Sequence, residues 1–229
     1  MVLKNYTIYG ERCSGTNYLQ NIININFDVK FTNKYGHKHF FGFQDEDLKN
    51  SDDTLFICIV RDPVNWMNSF FMNPHHLPIK YKKKMNKKEK MNEFFNKEFF
   101  SINDWDHNYC KWDKENMHDR NIYTGKRYKN IFEMRHTKIK WLLEDLPKKV
   151  KNYIFITYEE LLNNFNNTLI KIKNKGLKIK NNYFPKNTDN YKNNNNKKYI
   201  PKKNIIDSKI IINHPNFIKH YEKKLGYIK

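Results

Sequence analysis

The chain has 229 residues, enough for one ordinary domain with its own core. Lys and Arg number 43 against 24 Asp and Glu, a formal net charge of +19, which points to anionic ligands or surfaces. Three widely spaced cysteines, Cys13, Cys58 and Cys110, exclude a disulfide framework and a zinc pattern, and no apolar run is long enough to span a bilayer. A reducing, cytoplasmic setting without membrane attachment is expected, and the first strand begins without a signal peptide. Much of the charge sits in runs such as Lys82-Lys83-Lys84 and Lys87-Lys88. Asn, Lys and Ile abound and Ala is absent, the imprint of an AT-rich genome, cellular or viral. The basic balance therefore does not by itself specify nucleic acid, and a nucleic-acid partner is disfavoured.

Asn5 to Tyr9 reads as a strand, being β-branched and aromatic. Gly10 breaks it, a loop runs from Glu11 to Thr16, and Asn17 to Ile25 reads as a helix with Leu19, Ile22 and Ile23 on one face. A strand, a glycine-bearing loop and a helix start form an anion site, because backbone N–H groups and the helix dipole favour negative charge there. Gly10 and Gly15 have the spacing of a nucleotide P-loop, but Thr16 stands where its lysine belongs. That disfavours an ordinary ATP or GTP site and still suits a phosphate or phosphosulfate.

Asp28 to Thr32 is a second strand candidate, followed by a histidine pair, His37 and His39, around Lys38. Thr54 to Val60 is the most apolar run and fits a central parallel strand buried on both faces. It ends in Arg61-Asp62-Pro63, where a helix is expected with Asp62 as N-cap and Pro63 in its first turn. Residues 73–128 read as a variable insertion with a helix over Lys82 to Phe100. A helix is expected from Lys129 to Leu146, stopped before Pro147, then a strand over Tyr153 to Thr157 and a helix over Tyr158 to Ile172. The Asn/Lys-rich stretch at about 186–203 is expected to be a mobile loop, and Pro215 to Leu225 a closing helix. The expectation is a single α/β domain over 1–229, a central mostly parallel sheet flanked by helices.

Two strand-to-helix turns, the loop at 10–16 and Arg61 to Ser69, lie at carboxyl ends of strands, where α/β sheets bind ligands. An Arg and a Ser meeting one phosphate would combine a charged fork with a hydroxyl. These residues resemble the sulfotransferases that use 3′-phosphoadenosine 5′-phosphosulfate (PAPS) and release the bisphosphate PAP. The family's 5′-phosphosulfate loop, a basic Ser-Gly-Thr-Thr-Trp-Leu, is matched by Arg12-Cys13-Ser14-Gly15-Thr16-Asn17-Tyr18-Leu19. Its 3′-phosphate motif, an Arg followed eight places on by a Ser, is matched by Arg61 and Ser69. A later strand leading into Tyr-Glu-Asp-Leu is mirrored by Ile156 to Leu161, and the ending Leu225-Gly226-Tyr227 also resembles many members. The chain is most similar to a microbial and viral subgroup with the loop Glu-Arg-x-Ser-Gly-Thr-Asn and a downstream Lys-His pair. The family's usual lysine before Ser-Gly-Thr is Cys13 here, with Arg12 and Lys38 as substitutes, and the basic stretch Lys197 to Lys203 stands in for a glycine-rich 3′-phosphate segment.

The resemblance implies a P-loop NTPase-like sulfotransferase fold and sulfuryl transfer from PAPS to a hydroxyl or amine on a small molecule or carbohydrate. No metal is called for. Such transfer needs a base for the acceptor's proton and cations at the leaving phosphate. His39, Lys38 and Arg12 are the catalytic candidates, with Glu11 the second candidate base. Arg12, Cys13, Ser14, Gly15, Thr16, Asn17, Arg61, Ser69 and Tyr158 are the donor-binding candidates, Tyr158 being weighed equally as an adenine contact and as core. A P-loop kinase or hydrolase and a basic nucleic-acid-binding module are the alternatives.

Overall fold

The structure, a computed structural model, describes residues 3–42, 46–80, 82, 85–103, 114–180, 184–188, 190–191, 194–198 and 203–229. The chain forms two compact units, Met1–Asp62 with Leu142–Lys203, and Pro63–Trp141 with Asn204–Lys229.

The first unit holds a parallel sheet of β1 (Asn5–Tyr9), β2 (Lys30–Phe31), β3 (Thr54–Val60) and β4 (Tyr153–Thr157), in the order β2-β1-β3-β4. All seven residues of β3 are buried, as its unbroken apolar run demands of a strand covered on both faces. Tyr6 sits opposite Leu55 and Ile57 opposite Ile154, so β3 is paired along both edges. Helix α1 (Thr16–Asn26) lays Leu19, Ile22 and Ile23 into a core with Tyr6, Ile8, Leu55, Ile57 and Ile59. The helix expected over Tyr158 to Ile172 is instead two, α6 (Tyr158–Asn163) and α7 (Phe165–Lys173), because Asn164 leaves the helical region at φ −130° and ψ 44°. A capping box starts α6: Thr157 Oγ1 accepts from the Glu160 N–H at 3.0 Å, and Glu160 Oε2 accepts from the Thr157 N–H at 2.9 Å. Within the stretch expected to be mobile, β5 (Asn190–Tyr191) and β6 (Asn194–Lys198) form an antiparallel ladder. Tyr199 to Lys202 of the basic stretch lies outside the described residues, as does Cys110.

The second unit packs helices. In α2 (Pro63–Met72), Trp66, Met67, Phe70 and Phe71 are buried. Helix α3 (Lys87–Asn96) is shorter than the expected Lys82 to Phe100, because Asn86 and Glu89 form a capping box that starts it. Helix α4 (Ile131–Lys140) is capped by Asn130, whose side chain accepts from the N–H groups of Phe132 and Glu133. Arg135 on α4 makes a buried two-point ion pair with Glu222, at 2.6 and 2.9 Å, and lies over the Trp66 ring. Lys138, one turn on, is buried against Asp119, which also accepts from Ser101. Asn68 is fully buried: its Oδ1 accepts from the N–H groups of Ile205 and Ile206 at 2.8 Å, and its Nδ2 donates to Val64 and Ile206. The closing helix expected over Pro215 to Leu225 is present as the shorter α9 (Lys219–Lys224), and a short helix the sequence reading did not assign, α8 (Ser208–Ile212), precedes it.

The chain returns to the first unit through a π-helical turn, Trp141–Asp145, and α5 (Leu146–Lys149). Pro147 was expected to stop the helix and instead lies in the first turn of α5, where its missing N–H has no partner to lose.

Candidate functional site

The first unit gathers most of the residues the sequence singles out around the turn from β1 into α1. Gly10 ends β1, and a Cβ there would lie 2.5 Å from the Ile59 carbonyl oxygen, so only glycine lets the chain pass this close to β3. Its peptide is clasped from both sides. The Gly10 N–H donates to the Lys38 carbonyl at 3.0 Å, and the Gly10 carbonyl is 2.6 Å from His39 Nδ1. The loop and the 37–40 turn are thus one rigid element.

Inside the loop, Ser14 turns inward. Its N–H and its hydroxyl both donate to the Glu11 carbonyl, at 3.1 and 2.5 Å. The Ser14 hydroxyl proton therefore closes the loop. Cys13 (φ 63°) and Gly15 (φ 91°) flank it in the left-handed region, and this pair of reversals bends the chain into α1. A Cβ on Gly15 would meet Tyr158 Cδ2 at 2.4 Å. Tyr158 thus packs against the loop backbone, 8 % exposed, and its ring carries the Arg61 guanidinium at 4.8 Å. Arg61 Nη1 also donates to the Cys13 carbonyl at 3.2 Å. Gly15 is the N-cap of α1 and, having no side chain, makes no capping bond there. The dipole of α1 favours an anion at this end. Thr16 is buried, and Asn17 in the first turn is exposed.

The cations differ in where their charge lies. Arg12 is 1 % exposed, pairs with Glu11 Oε2 at 3.0 Å and lies 4.9 Å from the centre of the Phe40 ring. Its charge acts from inside the protein. Glu11 accepts from that guanidinium, which makes it a partner of a cation before it is a base. Lys38 is half-buried and donates from Nζ to Asn17 Oδ1. Ser69 belongs to the second unit, half-buried on α2. Phe40 was missed from sequence: an aromatic after the Lys-His pair was its only signal, and it proves to be the platform of Arg12.

Burial and then the charge of Arg12, helped by His37 and Lys38, hold His39 well below the usual histidine range. It is neutral at pH 7. Because a carbonyl can only accept, the proton sits on Nδ1, bonded to Gly10, and the lone pair sits on Nε2. The depressed value also links to stability. A histidine kept neutral by folding contributes fully above its unfolded pKa, about 6.5, and loses that contribution as pH falls below it. Urea unfolding of the wild type over a pH series should show stability falling below about pH 6.5. In His39→Gln that part of the slope should vanish, and an unchanged slope would contradict the neutral assignment.

Among the described residues, no group of three His, Cys, Asp or Glu is placed to hold a metal, and no helix is long and apolar enough to cross a membrane. No family model matches the sequence, and no curated protein matches it. Among solved structures, the chain is similar to mouse sulfotransferase SULT7A1 complexed with PAP, with 14% sequence identity and a TM-score of 0.41. The match covers 79% of this chain and 62% of that one.

Proposed function

We propose that the protein is a sulfotransferase, transferring a sulfuryl group from PAPS to a hydroxyl or amine acceptor. The observation that carries the reading is the single element joining a glycine-capped helix start, the Arg61 cation and a neutral histidine through Gly10 and Cys13. The donor supplies an activated sulfuryl group, whose bond to phosphate breaks as its bond to the acceptor forms, with the electron pair leaving on the phosphate. His39 Nε2 takes the proton that the acceptor O–H or N–H loses. The first N–H groups of α1 face the charge that grows on the phosphate oxygen, a fixed donor set needing no reorganisation. Arg61 would hold the 3′-phosphate, and Lys38 would supply a cation to the phosphosulfate.

The Gly10–Gly15 spacing keeps a nucleotide kinase in view as the second reading, and one experiment separates the two. Adenosine 3′,5′-bisphosphate at about 100 times its dissociation constant should add about 2.7 kcal/mol of stability, several degrees in melting temperature, without added metal. ATP with magnesium should do markedly less. Equal or greater stabilisation by ATP–magnesium would favour the kinase.

A further inference from the structure

We propose that Asn17 is a positioning residue that holds Lys38 at the loop, so that Lys38 supplies the cation the loop itself lacks. The inference rests on the sulfotransferase reading and adds to it a residue with no charge of its own. The loop position before Ser14 is Cys13, a thiol, and Arg12 beside it spends its charge inside the protein on Glu11. Lys38 enters from a separate segment and is fastened at both ends to the same element. Its carbonyl accepts from the Gly10 N–H, and its Nζ donates to Asn17 Oδ1 in the first turn of α1. The turn between these ends is itself closed by the Phe40 N–H donating to His37 at 2.9 Å.

The chemistry of the clasp suits the task. A lysine side chain has many rotamers, and ordering it before a ligand arrives removes that cost from binding. A neutral amide can hold an ammonium without cancelling its charge, whereas a carboxylate at the same place would cancel it and repel an anion. Asn17 also sits at the glycine-capped end of α1, so the ammonium is held where the helix dipole favours an anion. Asparagine at position 17 therefore places positive charge where a phosphosulfate would bring negative charge.

The test has a ligand-free arm and a binding arm. In the first, Lys38 acetylation by a small amine reagent is followed by mass spectrometry in wild type and Asn17→Ala. Labelling should speed up in the variant, and an unchanged rate overturns the proposal. In the second, adenosine 3′,5′-bisphosphate affinity is measured by calorimetry in wild type, Asn17→Ala, Lys38→Ala and the double variant. Asn17→Ala should weaken binding about 2- to 12-fold, the cost of immobilising one such side chain. In the Lys38→Ala background it should cost nothing further, which a merely structural asparagine would not show. Full additivity overturns the proposal. Asn17→Asp should keep Lys38 protected from the reagent and yet bind the bisphosphate more weakly than Asn17→Ala. If wild type binds no bisphosphate, the sulfotransferase reading falls and the donor role of Lys38 with it, whereas normal binding with unchanged labelling rejects only the positioning role.

Discussion

His39→Ala should lower turnover by about 10²–10⁴, the usual contribution of a general base, and donor affinity by far less, through the lost bond to the Gly10 carbonyl. The separation follows from where the proton goes. In the binary donor complex no acceptor is present, so nothing is transferred and the imidazole contributes only its bond to the loop at Gly10. With acceptor present, only a group with a lone pair can take its proton. His39 has that lone pair on Nε2, because Gly10 fixes the proton on Nδ1. The neighbouring His37 is a control built into the turn. Its Nδ1 accepts from the His39 N–H at 3.3 Å, so a neutral His37 carries its proton on Nε2, the opposite tautomer. The two rings are 5.2 Å apart, in edge contact, so they share surroundings and differ in chemistry. His37→Ala should therefore spare turnover. The assay begins with slow hydrolysis of labelled donor, followed by a screen of sugars and phenols as acceptors. Full turnover in His39→Ala with loss in His37→Ala would move the base by two residues. Retention in both would place it outside this turn, with Glu11 next to be tested.

Arg61→Ala should remove the preference for adenosine 3′,5′-bisphosphate over AMP. Loss of a charge-assisted contact to the 3′-phosphate should cost about 1.5–3 kcal/mol in bisphosphate affinity. AMP, lacking that phosphate, should lose less. Arg61 also braces the loop through the Cys13 carbonyl and the Tyr158 ring, so some loss for both ligands is expected. Arg61→Lys separates the two contributions: it keeps the charge and gives up the planar fork and the stacking. Calorimetric titration of both ligands into each variant reads the ratio directly. A variant that discriminates as well as wild type would place the 3′-phosphate elsewhere.

The sheet and the loop were legible in sequence for different reasons. Strands β1, β3 and β4 were bounded correctly because β-branched and aromatic residues run to abrupt polar or glycine stops, as at Val60 before Arg61. The loop was legible because glycines at 10 and 15 are set by backbone constraints, a close approach to Ile59 and a left-handed turn. Helix ends were read less well. The late start of α3 at Lys87 depends on a side-chain capping box and the break at Asn164 on that residue's own backbone angles, neither of which apolar periodicity reports. The site's tertiary partners were hidden. The ion pair of Arg12 with Glu11 and the clasp of Lys38 by Asn17 join residues of ordinary type, and only folding gives them their roles. Tyr158 had been balanced between adenine contact and core. Its packing on Gly15 and under Arg61 accounts for its burial without a ligand.

The neighbours of β3 are made at very different times during synthesis. β1 leaves the ribosome before β3, whereas β4 begins at Tyr153, after residues 63–141 of the other unit have emerged. At translation speeds of about 5–20 residues per second, β3 waits several seconds with one edge unpaired. That edge belongs to the most apolar strand in the protein, and an open, flat, apolar edge is a template for pairing with other chains. A fragment ending before Tyr153 would carry the same exposed edge permanently. Truncation upstream of β4 therefore yields an aggregation-prone species, and cellular chaperones have most reason to engage this chain in the interval between its third and fourth strands.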